Sequence, residues 1–179
     1  MDSLERYLPK WPETSLQMGL TAAGAAIVSF LLLRGLFKQR KQLKGKVVVI
    51  TGASSGIGEA LATEFVQKGC KVILAARSIE KLKQLKEKLV SSYKIAEDSI
   101  ACFFLDLEDH DAIEEACSSL LALYGKVDIL VNNAGISGGD RVEKCHLQTY
   151  KKIMDINYFG QVALTKGMHY YDSLLQFTF

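Results

Sequence analysis

A glycine-rich turn between a β-branched run and a helical segment is the feature that most constrains how this chain can fold. The run Val47–Thr51 (VVVIT) is typical of a strand buried on both faces, and Ile57–Lys68 has helical periodicity. The turn between them, Thr51–Gly58, reads TGASSGIG. Glycines at this spacing allow a tight bend, let the backbone approach a pyrophosphate and let the helix pack closely on the strand. The pattern predicts a phosphate-binding turn. The rival loop G-x-x-x-x-G-K-[ST] is excluded because Glu59 stands where that loop requires lysine.

Further strands and helices alternate along the chain. Short apolar runs predict strands at Lys71–Ala75, Ile100–Phe104 and Asp128–Asn132. Between them, apolar stripes predict one helix that Ser78 caps and another around His110–Tyr124. This alternation indicates right-handed βαβ units and a parallel sheet. We therefore expect an α/β fold built on a parallel sheet of four strands.

Residues that can recognise a nucleotide follow the predicted strands. Arg77 stands where an NAD-specific site needs an acid, so it suits a 2′-phosphate; a solvated arginine at a strand end is the alternative. Asp106 and Leu107 follow the third strand, where the carboxylate can accept from an adenine amino group or cap a helix. Asn132–Gly135 (NNAG) ends the fourth strand at the carboxyl edge, where open α/β sheets bind ligands. These residues predict that NADP(H) is preferred over NAD(H).

An uncharged apolar segment precedes the globular part. Leu16–Leu33 is close to the minimum length that spans a bilayer as a helix, and Leu36 and Phe37 can extend it. A soluble core helix is the alternative, and a cleaved signal peptide fits poorly because the small residues precede the most apolar part. The positive-inside rule favours a cytosolic globular part. The cations that support this orientation are Arg34, Lys38, Arg40, Lys41, Lys44 and Lys46.

Charge and cysteine content argue against several other functions. The formal net charge of +2 is too small to indicate a nucleic acid as partner. The four cysteines lie far apart, without a C-x-x-C pair or clustered histidines, so we expect neither a metal site nor structural disulfides. Reduced thiols are the simpler interpretation of Cys70, Cys102, Cys117 and Cys145.

Four motifs in order resemble the short-chain dehydrogenase/reductase family. They are TGxxxGxG at Thr51–Gly58, Asp106-Leu107, NNAG at Asn132–Gly135 and Asn157 within NYFG, and the resemblance covers about residues 43–166. It implies an incomplete Rossmann-type doubly wound sheet, with four strands in the order 3-2-1-4 and the fourth strand as an open edge. The resemblance further implies a nicotinamide cofactor and hydride transfer to or from a carbonyl or alcohol carbon. It also implies that Asn157 is an auxiliary catalytic residue, which holds a water of a proton relay. The predicted cofactor-binding residues are Thr51, Gly52, Ser54, Ser55, Gly56, Ile57, Gly58, Arg77, Asp106, Leu107, Asn133, Ala134 and Gly135.

The catalytic residues of that family are the part that we do not find. The family uses a tyrosine as proton donor or acceptor, a lysine four residues later, and a serine that polarises the carbonyl. After about Lys166 the sequence departs from the family's pattern, as a truncated or alternative C-terminus would. We therefore expect an inactive relative of an NADP-dependent oxidoreductase, or a non-catalytic nucleotide-binding or interaction fragment. The tyrosines without a lysine at that spacing are Tyr93, Tyr124, Tyr150, Tyr158, Tyr170 and Tyr171.

The expected organisation follows from these observations. We expect an N-terminal tail at residues 1–15, a transmembrane signal anchor at 16–37, a basic linker at 38–45, a partial NADP-binding domain at 46–166 and a divergent tail at 167–179. The chain would be a single-pass protein of the endoplasmic reticulum membrane, with the peroxisomal membrane as the alternative. A lipid-like carbonyl or alcohol is the expected substrate of a complete family member, and the oligomeric state stays open.

Overall fold

The computed structural model describes residues 43–138 and 141–176. The predicted N-terminal tail, the membrane anchor and residues 38–42 of the basic linker lie outside the described residues. Within the described ranges, no helix has both the length and the apolar character that crossing a bilayer requires.

Four parallel strands form the sheet: β1 (Val47–Thr51), β2 (Lys71–Ala76), β3 (Ile100–Phe104) and β4 (Ile129–Val131). Their order is β3-β2-β1-β4, as predicted. All five residues of β1 are buried, as its β-branched run indicates for a central parallel strand. β1 pairs with β2 along its whole length and with β4 at three positions, so it connects the two halves of the sheet.

Helices follow each strand. The first three are α1 (Gly56–Gln67), α2 (Ile79–Tyr93) and α3 (Ile113–Tyr124). The last helical stretch is continuous and consists of α4 (Leu147–Met154), a π-helical turn (Asp155–Gly160) and α5 (Gln161–Gln176). Short 3₁₀ turns lie at Glu97–Ser99 and Val142–Lys144.

The side chains of the sheet alternate between two cores, which is the doubly wound arrangement. Val47 and Val49 point to one face, where Cys117 and Leu120 of α3 and Leu164 of α5 cover them. The other face carries Val48, Ile50, Val72 and Leu74, and residues of α1 and α2 such as Ala62, Val66, Leu82 and Leu85 pack on it. Burial on both faces explains why the strands are apolar without polar alternation.

The structure corrects two predicted boundaries. The helix expected around His110–Tyr124 begins only at Ile113, because the carboxylate of Asp109 accepts from Ala112 N at 3.3 Å and the ring of His110 lies 3.1 Å from the Asp155 carbonyl oxygen. The fourth strand is Ile129–Val131, two residues shorter than predicted. Its predicted first residue, Asp128, still donates from its backbone N to Val47 O at 2.9 Å.

The folded domain extends past both predicted limits. On the N-terminal side, Leu43 packs against the core, its carbonyl accepts from the Cys70 thiol at 3.1 Å, and Gly45 N donates to Gly69 O at 2.8 Å. At the other end α5 continues beyond Lys166 to Gln176. Leu164, Met168 and Tyr171 recur at helical spacing and pack on the α3 core, so this part of the predicted tail is ordered helix.

Candidate dinucleotide-binding site

A cavity of about 500 Å³ opens at the carboxyl edge of the sheet. The ends of β1 and β2 and the loops after β3 and β4 contribute to it, and it lies beside the boundary between β1 and β4, where the strand order reverses. This position is the usual ligand crevice of open α/β sheets. The predicted residues that line it are Thr51, Gly52, Ser54, Ser55, Ile57, Arg77, Asp106, Leu107, Asn133, Ala134 and Gly135.

The glycine turn has the geometry that its sequence predicts. Gly52 and Gly56 have φ angles of +66° and +60°, in the left-handed region that favours glycine. A side chain on Gly52 would also lie 2.7 Å from Ala134 Cα. Gly58 lies outside the cavity lining, and a Cβ there would meet Gly52 O and come within 2.7 Å of Asn133 Nδ2. Gly58 therefore allows α1 to pack closely on the turn.

The start of α1 borders the cavity, which is lined by Ser54 and the N-cap residue Ser55 before the helix and by Ile57 in its first turn. Ser55 is the N-cap residue, and its side chain makes no capping hydrogen bond to the helix. The leading amide groups of a helix attract anions, because they have no partner within the helix and the helix dipole is positive there. This end of the cavity can therefore bind a phosphate group.

The buried hydroxyl of Thr51 ties the glycine turn to the end of β4. Thr51 Oγ1 accepts from Asn133 N at 2.9 Å and from Ala134 N at 3.0 Å, and it lies 3.3 Å from Val131 O, to which it donates. In return, Asn133 Nδ2 donates to Thr51 O at 2.9 Å. Thr51 and the Asn133 side chain thus fix the shape of the cavity floor.

Arg77 and Ser78 form the cavity wall at the end of β2, and both side chains are exposed. Among the residues that the structure describes, Arg77 forms no ion pair with an acid. Ser78 is the N-cap residue of α2, as predicted, but its hydroxyl makes no capping bond, and the first bond of the helix runs from Leu82 N to Ser78 O. The hydroxyl and the guanidinium group are therefore both available to a ligand.

Asp106 and Leu107 lie in the loop after β3 and line the same cavity. Asp106 Oδ1 accepts from Glu108 N at 3.1 Å and closes a local turn. The sequence left two roles open for this carboxylate, contact with an adenine amino group and helix capping. The capping role does not fit, because Asp109 and not Asp106 accepts from Ala112 N at the start of α3. Asp106 and Arg77 line the same cavity, and the Asp106 carboxylate can accept further hydrogen bonds there.

Asn157 is placed next to the cavity but does not line it. Its Oδ1 accepts from Ile136 N and its Nδ2 donates to Ile136 O, both at 2.8 Å. Asn157 lies in the π-helical turn, a distortion that recurs at functional sites. In this structure it holds the loop after β4. Its predicted part in a proton relay stays a prediction.

Sequence reasoning missed part of the lining. The additional residues flank the predicted motifs in the sequence: Ala75, Ala76, Ser78, Leu105, Ile136 and Ile156. All except Ser78 are apolar, so their sequence signal is that of core residues. Only their position directly beside a strand-end motif could have marked them as cavity residues.

The cysteines lie outside the cavity lining. Cys70 and Cys117 are buried, and burial raises the pKa of the Cys117 thiol to about 11, which keeps it protonated at neutral pH. All four thiols are free. Within the described part of the chain, no group of three acidic, histidine or cysteine side chains could hold a metal ion.

The sequence matches a known family over most of its length. Residues 46–172 match the family described as short chain dehydrogenase. A Drosophila melanogaster relative, dehydrogenase/reductase SDR family protein 7-like, is 46% identical over 131 residues, 73% of this chain and 40% of that protein. Dehydrogenase/reductase SDR family member 7B of Mus musculus is 36% identical over 142 residues, 79% of this chain and 44% of that protein. The chain thus spans less than half the length of these relatives.

Solved structures share the fold. A metagenomic short-chain oxidoreductase in complex with NADP matches with a TM-score of 0.65 and 32% identity, over 72% of this chain and 57% of that one. The 3-ketoacyl-(acyl-carrier-protein) reductase of Brucella melitensis, complexed with NADH, matches with a TM-score of 0.62 and 31% identity, over 69% of this chain and 49% of that one. The predicted family resemblance is confirmed. The four motifs and the N-terminal apolar segment together favour similarity to the branch of SDR family member 7B, and this prediction is confirmed by relatives named member 7B and member 7.

Proposed function

Because this chain belongs to the short-chain dehydrogenase/reductase family, we propose that it is a membrane-tethered module that binds NADP(H) in preference to NAD(H). The observation that carries the proposal is the convergence of the glycine turn, Arg77, Asp106 and the residues after β4 on one cavity. When bound, a nicotinamide cofactor supplies hydride-transfer chemistry. The residues of this chain bind and orient it.

The cavity divides into regions that suit the parts of a dinucleotide. The amide groups at the start of α1 suit the pyrophosphate. Asp106, after β3, suits the adenine amino group, and Gly135 and its neighbours after β4 suit the ribose and ring at the other end. A molecule that extends from β3 to β4 across the sheet edge would contact all of these regions.

The preference for NADP(H) rests on the end of β2. Arg77 and Ser78 offer a guanidinium group and a hydroxyl, and no acid of the cavity lining stands at this strand end to accept from a 2′-hydroxyl. A charge-assisted pair with a 2′-phosphate is strong and directional. Solved relatives are complexed with NADP as well as with NADH, so the preference is argued from these two residues and not from the family.

Membrane tethering rests on the sequence before the described residues. Leu16–Leu33 is uncharged and apolar, and cations follow it directly. We propose a single-pass protein of the endoplasmic reticulum membrane, with the globular part on the cytosolic side. A complete relative in this position would act on lipid-like carbonyls or alcohols, since such molecules partition into the bilayer.

The second candidate function is a non-catalytic nucleotide-binding or interaction fragment. It is favoured by one observation: the chain contains Asn157 but no tyrosine with a lysine four residues later among its tyrosines from Tyr93 onwards. In this case cofactor binding would remain without turnover. Both candidates use the same cavity. The first is the cofactor-binding module of an oxidoreductase, in which the complete relative transfers hydride, whereas the second has at most a binding or interaction role.

The proposal is tested by calorimetric titration of the detergent-solubilised 179-residue chain with NADPH and with NADH. One saturable site is expected, and the affinity for NADPH should be about tenfold or more above that for NADH. An absence of saturable heat with either dinucleotide would contradict the proposed function. Equal affinities would contradict the preference alone.

A further inference from the structure

The polar side chains that are buried among the described residues are Thr51 and Gln161, and both bind Ala134. Thr51 Oγ1 accepts from Ala134 N at 3.0 Å, and Gln161 Nε2 donates to Ala134 O at 2.6 Å. The N–H and C=O groups of one cavity-lining residue are thus held by two buried side chains from different elements, β1 and α5.

The loop after β4 is also held at Ile136. Asn157, four residues before Gln161 in the same helical stretch, binds both the N–H and the C=O of Ile136. The segment Ala134–Ile136 is here called the β4 wall. It makes three hydrogen bonds with the side chains of this helical stretch and one with Thr51. All three of its residues line the cavity.

Gln161 is poorly suited to a purely structural role. Its Oε1 is buried and has no hydrogen-bond partner among the described residues. A buried acceptor without a partner costs free energy, whereas an apolar side chain of similar size would not. The amide orientation is nevertheless defined, since only the Nε2 group can donate to Ala134 O. The bond to the β4 wall is what the amide provides and an apolar residue could not.

We propose that Gln161 is a positioning residue for the cofactor, which fixes the β4 wall against which the half of the dinucleotide beyond the pyrophosphate binds. This inference rests on the proposed function. Arg77 and Asp106, which face the adenosine half, lie on the β2–β3 side of the cavity, and the β4 wall lies on the other side of β1. A change at Gln161 should therefore weaken the binding of the nicotinamide half of the ligand and leave the binding of the adenosine half unchanged.

The test is Gln161→Met in the full-length chain, with NADPH and 2′,5′-ADP as the two ligands. Methionine preserves the length and much of the volume of glutamine but cannot donate to Ala134 O. The affinity for NADPH should fall about three- to tenfold, as expected for the loss of one hydrogen bond. The affinity for 2′,5′-ADP, which lacks the nicotinamide half, should not change. The melting temperature should change little, because the variant removes the unpartnered Oε1 but leaves Ala134 O without the donor from Gln161.

Thr165→Val is the matched control. Thr165 Oγ1 donates to Gln161 O at 2.7 Å and accepts from Asn132 Nδ2 at 2.8 Å, so valine removes two neighbouring hydrogen bonds without contacting the β4 wall. It should leave the ratio of the two affinities unchanged.

The possible outcomes separate this inference from the proposed function. If the wild-type chain binds both ligands and Gln161→Met weakens neither, or weakens both equally, the positioning role is overturned and cofactor binding stands. If the wild-type chain binds neither ligand, the proposed function fails and the inference fails with it. A loss of affinity for NADPH with unchanged affinity for 2′,5′-ADP supports the positioning role of Gln161 and the proposed function.

Discussion

The guanidinium group of Arg77 and the hydroxyl of Thr51 show how differently single residues contribute to this cavity. Thr51 is buried and makes its hydrogen bonds within the protein, so its effect is on the shape of the floor. Arg77 is exposed and forms no ion pair with the described acids, so its charge is available to a ligand. Cofactor preference should therefore depend on Arg77, and cavity integrity on Thr51.

Arg77→Ala should reduce the difference in binding affinity between NADPH and NADH. Loss of a charge-assisted contact to the 2′-phosphate is expected to weaken NADPH binding about ten- to a hundredfold, with NADH binding nearly unchanged. Cofactor fluorescence measures both affinities. Lys83→Ala is the control, since it removes the same charge from α2, where Lys83 pairs with Glu80 and does not line the cavity. If both variants lower NADPH affinity equally, general electrostatics and not Arg77 sets the preference.

Pairing of β1 with β4 depends on a carboxylate at the edge of the sheet opposite the cavity. Asp128 accepts from Lys46 Nζ at 2.6 Å, Val47 N at 2.9 Å and Lys126 Nζ at 3.0 Å. Burial would raise the pKa of the Asp128 carboxyl, but the hydrogen bonds from Lys46, Val47 and Lys126 outweigh it and lower the pKa to about 2. Because this pKa lies below the unfolded value of about 3.9, the ionised carboxylate stabilises the folded state.

The pH dependence follows from the sign of that shift. The stabilisation should be fully present above about pH 5 and should be lost as the pH falls from about 4 towards 2. Asp128→Asn should lower the free energy of unfolding at pH 7 by about 1–2 kcal/mol, given that both lysines are half exposed and screened by solvent. The difference from wild type should shrink near pH 3.

Far-UV circular dichroism is the appropriate probe of unfolding, since the single tryptophan, Trp11, lies outside the described residues. Asp111→Asn is the control, because it neutralises an exposed loop carboxylate with no hydrogen bond to β1 or β4. An Asp128→Asn variant that is as stable as wild type at pH 7 would contradict this account of the β1–β4 pairing.

The strands could be predicted from sequence because a buried parallel strand leaves a strong local signal. Runs such as Val47–Thr51 have no polar alternation, and the glycine turn sets the direction of the chain after β1. The order 3-2-1-4 followed from the resemblance to the family and is confirmed. Helix starts were harder to predict. His110–Ala112 are held in the loop by a local bond from Ala112 N to the Asp109 carboxylate and by the tertiary contact of the His110 ring with the Asp155 carbonyl oxygen.

The helical stretch after β4 contains the features that sequence could not give. A π-helical turn at Asp155–Gly160 depends on contacts on several sides: Gly160 packs directly on Leu107, and Asn157 reaches Ile136. The burial of Gln161 likewise depends on the position of Ala134, which is distant in sequence. The motif residues of the site were predictable, whereas the hydrogen bonds by which Asn157 and Gln161 hold Ile136 and Ala134 were not.

For the whole chain, the proposed attachment to a membrane makes a direct prediction. The uncharged Leu16–Leu33 segment should keep the protein in the pellet through alkaline carbonate and release it in detergent. Deletion of residues 1–37 should abolish retention in the lipid fraction, whereas deletion of residues 1–15 should not. Quantitative extraction of the intact chain by carbonate would show that the segment does not span the bilayer.

The chain as given should not catalyse hydride transfer. General acid–base assistance contributes roughly 10²–10⁴ in rate and oxyanion-type stabilisation roughly 10²–10³, so a site without the tyrosine–lysine pair and serine should show no measurable turnover. The assay follows NADPH absorbance with aldehydes, ketosteroids and retinoids, and a complete relative is the positive control. Tyr158 neighbours Asn157 but is 54% exposed and does not line the cavity. Turnover that Tyr158→Phe abolishes would contradict this prediction.

The location of the bound cofactor is most directly measured by hydrogen–deuterium exchange of the full chain with and without saturating NADPH. Slower exchange is expected in the glycine turn Gly52–Gly58, at Arg77–Ser78 and in the β4 wall, because these backbone segments line or frame the cavity. The 3₁₀ turn Glu97–Ser99, which does not line it, should exchange at the same rate in both states. Unchanged exchange in all three cavity segments at saturating NADPH would contradict the assignment of this cavity as the cofactor site.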